Sequence, residues 1–101
     1  MSTIALLTDF GDSDGFVGMI KGTIKSLAPQ CEIIDISHKI DNFDVRAAAF
    51  VLDKSIRYYP AGTLFLAVVD PGVGSARRLL AAQAGDYFFV APDNGILSYT
   101  L

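Results

Sequence analysis

Residues 67–78 read AVVDPGVGSARR, an apolar run that ends in Asp70 and Pro71, passes two glycines and closes on adjacent arginines. Proline fixes its own φ and glycine accepts positive φ, so this loop has a backbone suited to close approach of a ligand. An arginine such as Arg77 held near a carboxylate such as Asp70 keeps that carboxylate ionised, and the pair can orient a water molecule. A surface turn closed by an ion pair uses the same residues, and spacing does not choose between the two. Asp9, in TDFGDSDG, presents the same choice between a turn-stabilising acid and a carboxylate that accepts hydrogen bonds from the vicinal hydroxyls of a ribose. Phe43 lies between predicted elements, where an aromatic ring can stack on a base. His38 is the sole histidine. A histidine with no partner at ligand spacing is more often a packed or capping residue than a base, and no metal site is expected.

The elements that must position these groups follow from hydrophobic spacing. TIALLTDFG reads as a strand, and Phe16, Met19, Ile20, Thr23, Ile24 and Leu27 recur at helical spacing up to Pro29, predicting a helix with one apolar face. CEIIDIS is a second strand. Val45, Ala48, Ala49, Leu52 and Ile56 form the apolar face of a second helix that Pro60 stops. GTLFLAVVD is a third strand, and LLAAQAG and DYFFVAPDNG are two more, joined at Gly85-Asp86 in a hairpin-type turn. Strands alternating with helices, apolar enough to be covered on both faces, predict an α/β fold built on a Rossmann-like, mostly parallel sheet. In such sheets ligands sit beyond the carboxyl ends of the strands, and Asp9, the stretch from Asp35 to His38, Asp70 and Asp93 all fall at such ends. The aromatics Phe10, Phe16, Phe43, Tyr58, Tyr59 and Phe65 are mostly core by default, with stacking on a base the alternative for Phe43.

The chain has 101 residues, which bounds it to one domain, and 51% are hydrophobic against 19% charged. With a mean hydropathy of +0.41 it is apolar for a chain with no run long enough to span a membrane, so part of its surface is expected to be covered by a partner or a further segment. A net charge of −3 provides no field for nucleic acid or an acidic membrane. The single cysteine, Cys31, reads as a structural thiol, and together with the absence of a leader-like start it points to the cytoplasm. The glycines fit neither the dinucleotide fingerprint nor a P-loop, so a bound nucleotide is expected to lack a phosphate tail.

Taken in order, LLTDFGDSDGFVGMIKG, IIDISHKIDNFDVRAAAFVL, YYPAGTLFLAVVDPGVGSARR and FVAPDNGIL resemble the S-adenosylmethionine hydroxide adenosyltransferases, relatives of the S-adenosylmethionine-dependent fluorinase and chlorinase. The resemblance implies hydrolysis of S-adenosylmethionine to adenosine and L-methionine, with S-adenosylmethionine as substrate and no cofactor. It implies that Asp9 grips the ribose hydroxyls, that Phe43 stacks near the substrate, and that Asp70 and Arg77 belong to an Asp-Arg-His set acting on the water. Asp93 and Asn94 match the family motif in PDNG, where a site-edge and a turn role are both open. Val73 stands where a halogenase places a hydroxyl for halide, which favours water over halide. The resemblance further implies a homotrimer and a carboxy-terminal β-barrel, so residues 1–101 are expected to form a truncated amino-terminal domain. A catalytically silent nucleoside-binding or assembly domain is the alternative, and a halogenase a lesser one.

Overall fold

In the computed structural model, which describes residues 2–11, 14–70 and 78–101, the apolar runs form one five-stranded sheet. The chain order is β1 (Thr3–Thr8), α1 (Phe16–Leu27), β2 (Glu32–Ser37), α2 (Val45–Ser55), a 3-10 turn (Ile56–Tyr58), β3 (Leu64–Val68), β4 (Leu79–Ala84) and β5 (Tyr87–Pro92). Across the sheet the strands run β2-β1-β3-β5-β4. The β1 strand pairs in parallel with both β2 and β3, β3 pairs in parallel with β5, and β4 joins β5 as an antiparallel hairpin. This is the mostly parallel α/β sheet flanked by helices that the spacing predicts.

Strand alternation sends Ala5, Leu7, Phe65, Ala67, Phe89 and Ala91 to one face, where Ala48 and Leu52 of α2 close over them. Phe65 is the hub of this core, stacked on Phe89 at 5.3 Å and meeting the edges of Tyr59 and Tyr87. Asp44 starts α2 by accepting the Ala47 N–H at 3.0 Å, which satisfies one of the unpaired donors of the first turn. The predicted α-helix ends a turn earlier than Pro60. Tyr59 is extended, as a residue before proline must be, and Ile56 falls in the 3-10 turn that tightens the helix end.

The expected apolar face of α1 is present, but no residue of α1 is buried. Met19, Ile20, Thr23 and Ile24 border an open groove of about 310 Å³ with Leu66 on the second face of the sheet. Helical spacing specifies which side chains share a stripe and says nothing of what covers that stripe. The assignment of aromatics to the core is corrected for the same reason: Phe65 is buried, whereas Phe16, Phe43 and Tyr58 are exposed. No helix among the described residues is long and apolar enough to cross a membrane.

Candidate functional site

The chain leaves β1 toward β2 on one side, and α2 then returns it to β3 on the other, so the strand order reverses between β1 and β3. At such a switch point the loops leaving adjacent parallel strands diverge and open a crevice beyond their carboxyl ends. Thr8 is paired with Val68, so the two strands end together, and Asp9 and Asp70, from the residues that follow, both reach that crevice. A cleft of about 320 Å³ lies there, lined by Asp9, Phe10, Asp14, Phe16, Asn42, Phe43 and Asp70. Its volume is at the small end of small-molecule sites, roughly 300–1,000 Å³. Three carboxylates and three phenyl rings with no basic side chain among the described residues suit a ligand that joins a positive charge to a flat apolar ring.

Asp9 is buried, and its Oδ2 accepts the Phe43 backbone N–H at 2.7 Å. Phe43 has φ of 65°, the left-handed region that costs an ordinary side chain energy. The residue is 59% exposed on the cleft wall rather than packed in the core, and this combination of strain and exposure marks a position held for contact. Phe10 and Phe16, whose rings meet edge to face at 6.2 Å, also line the cleft.

Behind Asp9 lies a set of polar groups that spacing alone does not join. Thr8 Oγ1 is 2.6 Å from His38 Nδ1, His38 Nε2 is 2.8 Å from Asp35 Oδ1, and Lys21 Nζ donates to Asp35 Oδ2 at 2.7 Å. Burial pushes the Asp35 carboxyl up, but the hydrogen bonds from Lys21 and His38 and their charges outweigh it, so the group titrates below the usual carboxylate range. A bulge between Leu6 and Leu7 shifts the register of β2 against β1 next to this cluster. His38 is thus a buried, hydrogen-bonded residue away from the cleft lining. Among the described residues no group of three or more His, Cys, Asp or Glu side chains could hold a metal ion.

Asp70, like Asp9, is buried at the cleft. Arg77 and Val73 lie outside the described residues. Asn94 does not line the cleft: its Nδ2 donates to the Val69 carbonyl at 2.8 Å and its Oδ1 accepts the Ile96 N–H, so it ties the β5 exit to the residue preceding Asp70. Asp93 faces Arg78 at 3.6 Å on the surface. The cleft therefore unites Asp9, Phe43 and Asp70, while Asp93 and Asn94 stand behind or beside it. Spacing did not single out Asp14, Asn42 or Thr8; the one available signal for Thr8 was a hydroxyl at the end of an otherwise apolar strand.

The family model described as the SAM hydroxide adenosyltransferase N-terminal domain matches residues 4–101. An (R)-S-adenosyl-L-methionine hydrolase of Salinispora tropica is 48% identical over 94 residues, covering 93% of this chain and 36% of the relative. A fluorinase of an Actinoplanes species is 28% identical over 118 residues, covering 94% of this chain and 40% of the relative. The crystal structure of an uncharacterized conserved protein from Thermotoga maritima superposes with a TM-score of 0.88 at 45% identity, covering 93% of this chain and 36% of that one. The chain thus spans well under half the length of the curated relatives it matches.

Proposed function

This chain belongs to the S-adenosylmethionine hydroxide adenosyltransferase family, matching its amino-terminal domain, and on that footing we propose that the whole protein hydrolyses S-adenosylmethionine to adenosine and L-methionine. The observation that carries this reading is the convergence of Asp9, Phe43 and Asp70 on one acidic, aromatic-walled cleft at the switch point. The substrate's sulfonium and adenine match the two features of that wall, negative charge and exposed rings. The hydrolase relative at 48% identity against the fluorinase at 28% supports water rather than halide as nucleophile.

In the proposed reaction the oxygen of a water molecule bonds to ribose C5′ as the C5′–S bond breaks. The electron pair passes to sulfur, methionine leaves as a neutral thioether, and a proton of the water is released. The work of the protein is placement in line with the leaving group and a fixed electrostatic environment. Asp9 holds the ribose diol, Phe43 stacks near the substrate, and Asp70 with Arg77 positions the water. Asn94 supports this indirectly through the Val69 carbonyl, and Asp93 belongs to the site edge. In this reading no cofactor takes part, and the active enzyme is a homotrimer.

A silent nucleoside-binding or assembly role is the second reading, and the open apolar stripe of α1 favours it. The test incubates the folded chain with S-adenosylmethionine and follows adenosine and methionine by liquid chromatography. Equimolar release above a protein-free blank supports hydrolysis by this domain. Adenosine binding without release selects the second reading for this domain by itself and leaves hydrolysis by the whole protein standing, and a 5′-halo-adenosine formed in chloride overturns the assignment of water.

A further inference from the structure

His38 lies away from the cleft lining, yet it holds the chain on both sides of Asp9. Its ring meets Thr8 Oγ1, one residue before Asp9, and its carbonyl accepts the Gly11 N–H at 2.7 Å, two residues after. The hydrogen bonds assign a direction to the whole series. Lys21 is a donor only and Asp35 an acceptor, so in the neutral imidazole His38 Nε2–H donates to Asp35 and Nδ1 is left to accept the Thr8 hydroxyl. Thr8 Oγ1 in turn accepts the Phe10 N–H at 3.2 Å. Every donor in the series meets an acceptor, and the series ends in the backbone of the turn that carries Asp9.

An order of Thr, His and Asp also occurs in nucleophilic triads, but Thr8 is fully buried, and no substrate carbon can reach its hydroxyl. Alternation along β1 places Thr8 with Leu6 on the α1 side and Asp9 on the side where α2 begins and the Phe43 N–H meets it. Pinning Thr8 on one face therefore fixes the aim of Asp9 on the other. The geometry points to His38 as a positioning residue for Asp9, acting through Thr8 and Gly11, with Asp35 and Lys21 fixing the imidazole. This inference rests on the nucleoside-binding reading above.

The test compares binding of adenosine and of 2′,3′-dideoxyadenosine, which lacks the diol, by isothermal titration calorimetry. The wild type is expected to prefer adenosine. His38→Ala and Thr8→Val are expected to weaken adenosine binding about tenfold, the effect of one lost hydrogen bond in a buried series, while leaving the dideoxy compound unchanged. Thr8→Ser and His38→Asn, which keep the hydroxyl and an acceptor near Nδ1, are expected to restore most of the preference. A role confined to stability moves both ligands alike and gives no such rescue. An undiminished preference in Thr8→Val and His38→Ala overturns the positioning role while the nucleoside reading stands. Should His38→Ala fail to fold, the near-isosteric Thr8 pair decides alone. A wild type that binds neither compound overturns the nucleoside reading and this inference together, whereas one that binds both equally overturns Asp9 as the holder of the diol, and with it this inference, while nucleoside binding stands.

Discussion

The backbone N–H of Phe43 donates to Asp9 Oδ2 at 2.7 Å across 34 residues of sequence, and among the described residues Phe43 is the non-glycine with positive φ. The carboxylate assigned to the ribose thus also holds the aromatic assigned to stacking. Asp9→Ala removes both functions at once. It is expected to weaken adenosine binding by about a hundredfold or more, as charged hydrogen bonds contribute about 1.5–3 kcal/mol each. Titration calorimetry beside a thermal unfolding curve measures it, and unaltered affinity rules out the ribose role.

Phe43→Gly separates strain from contact. Glycine accepts φ of 65° without the cost of about 1–2 kcal/mol that a side chain meets there, but it gains more freedom in the unfolded chain. Stability is expected to change by less than about 1 kcal/mol in urea unfolding. Adenosine affinity is expected to fall by about 1–3 kcal/mol, the worth of an aromatic stacked on a base. A large stability loss with affinity retained would make Phe43 a structural residue.

Asn94→Ala tests the brace behind Asp70. Removing the amide leaves the Val69 carbonyl and the Ile96 N–H without their partner, and the expected loss is about 1–3 kcal/mol in urea unfolding. Lost adenosine affinity at unchanged stability would instead place Asn94 in direct contact with ligand.

Asp35 makes stability depend on acidity. Its folded carboxyl titrates lower than its unfolded value near 3.8, because the hydrogen bonds and charges of Lys21 and His38 overcome the upward push of burial. The charged form is therefore favoured by folding. That contribution is present above the unfolded value and is lost as pH falls through the folded one. Between roughly pH 5 and pH 2 the wild type is expected to lose more stability than Asp35→Asn, the excess being modest because the pair is partly solvated. Equal losses in urea titrations at the two pH values would show that Asp35 contributes nothing.

Phe65→Ala empties the centre of the core, where Phe89, Tyr59 and Tyr87 meet the ring. The expected cost is about 3–5 kcal/mol, a large part of the whole stability of a domain of this size. A loss of less than about 1 kcal/mol in urea unfolding would mean the neighbours collapse into the space.

The order of strands and helices was legible because alternating and helical hydrophobic spacing are local properties, and Asp9, Phe43 and Asp70 could be singled out because an acid or ring at an element's end is a local signal too. Helix ends were less so: Ile56 was read into α2, whereas the extended Tyr59 before Pro60 forces a 3-10 turn. The open stripe of α1 could not be read at all, since exposure depends on what lies opposite and not on the stripe. Asn94 could be either a turn or a site residue until its amide was seen tying Val69 to Ile96.

By itself the sequence determined the α/β class, the strands that carry the candidate acids and the four blocks that place the chain in its family. Only the tertiary structure decided which of those acids meet. Parallel pairing of β1 with β3 brings Asp9 and Asp70 to one cleft from distant parts of the chain, and the bulge at Leu6 and Leu7 accompanies the union of Lys21, Asp35, His38 and Thr8. Hydrophobic spacing is written within a few residues, whereas a cleft or a hydrogen-bonded series is made of groups whose separation in sequence says nothing of their separation in space.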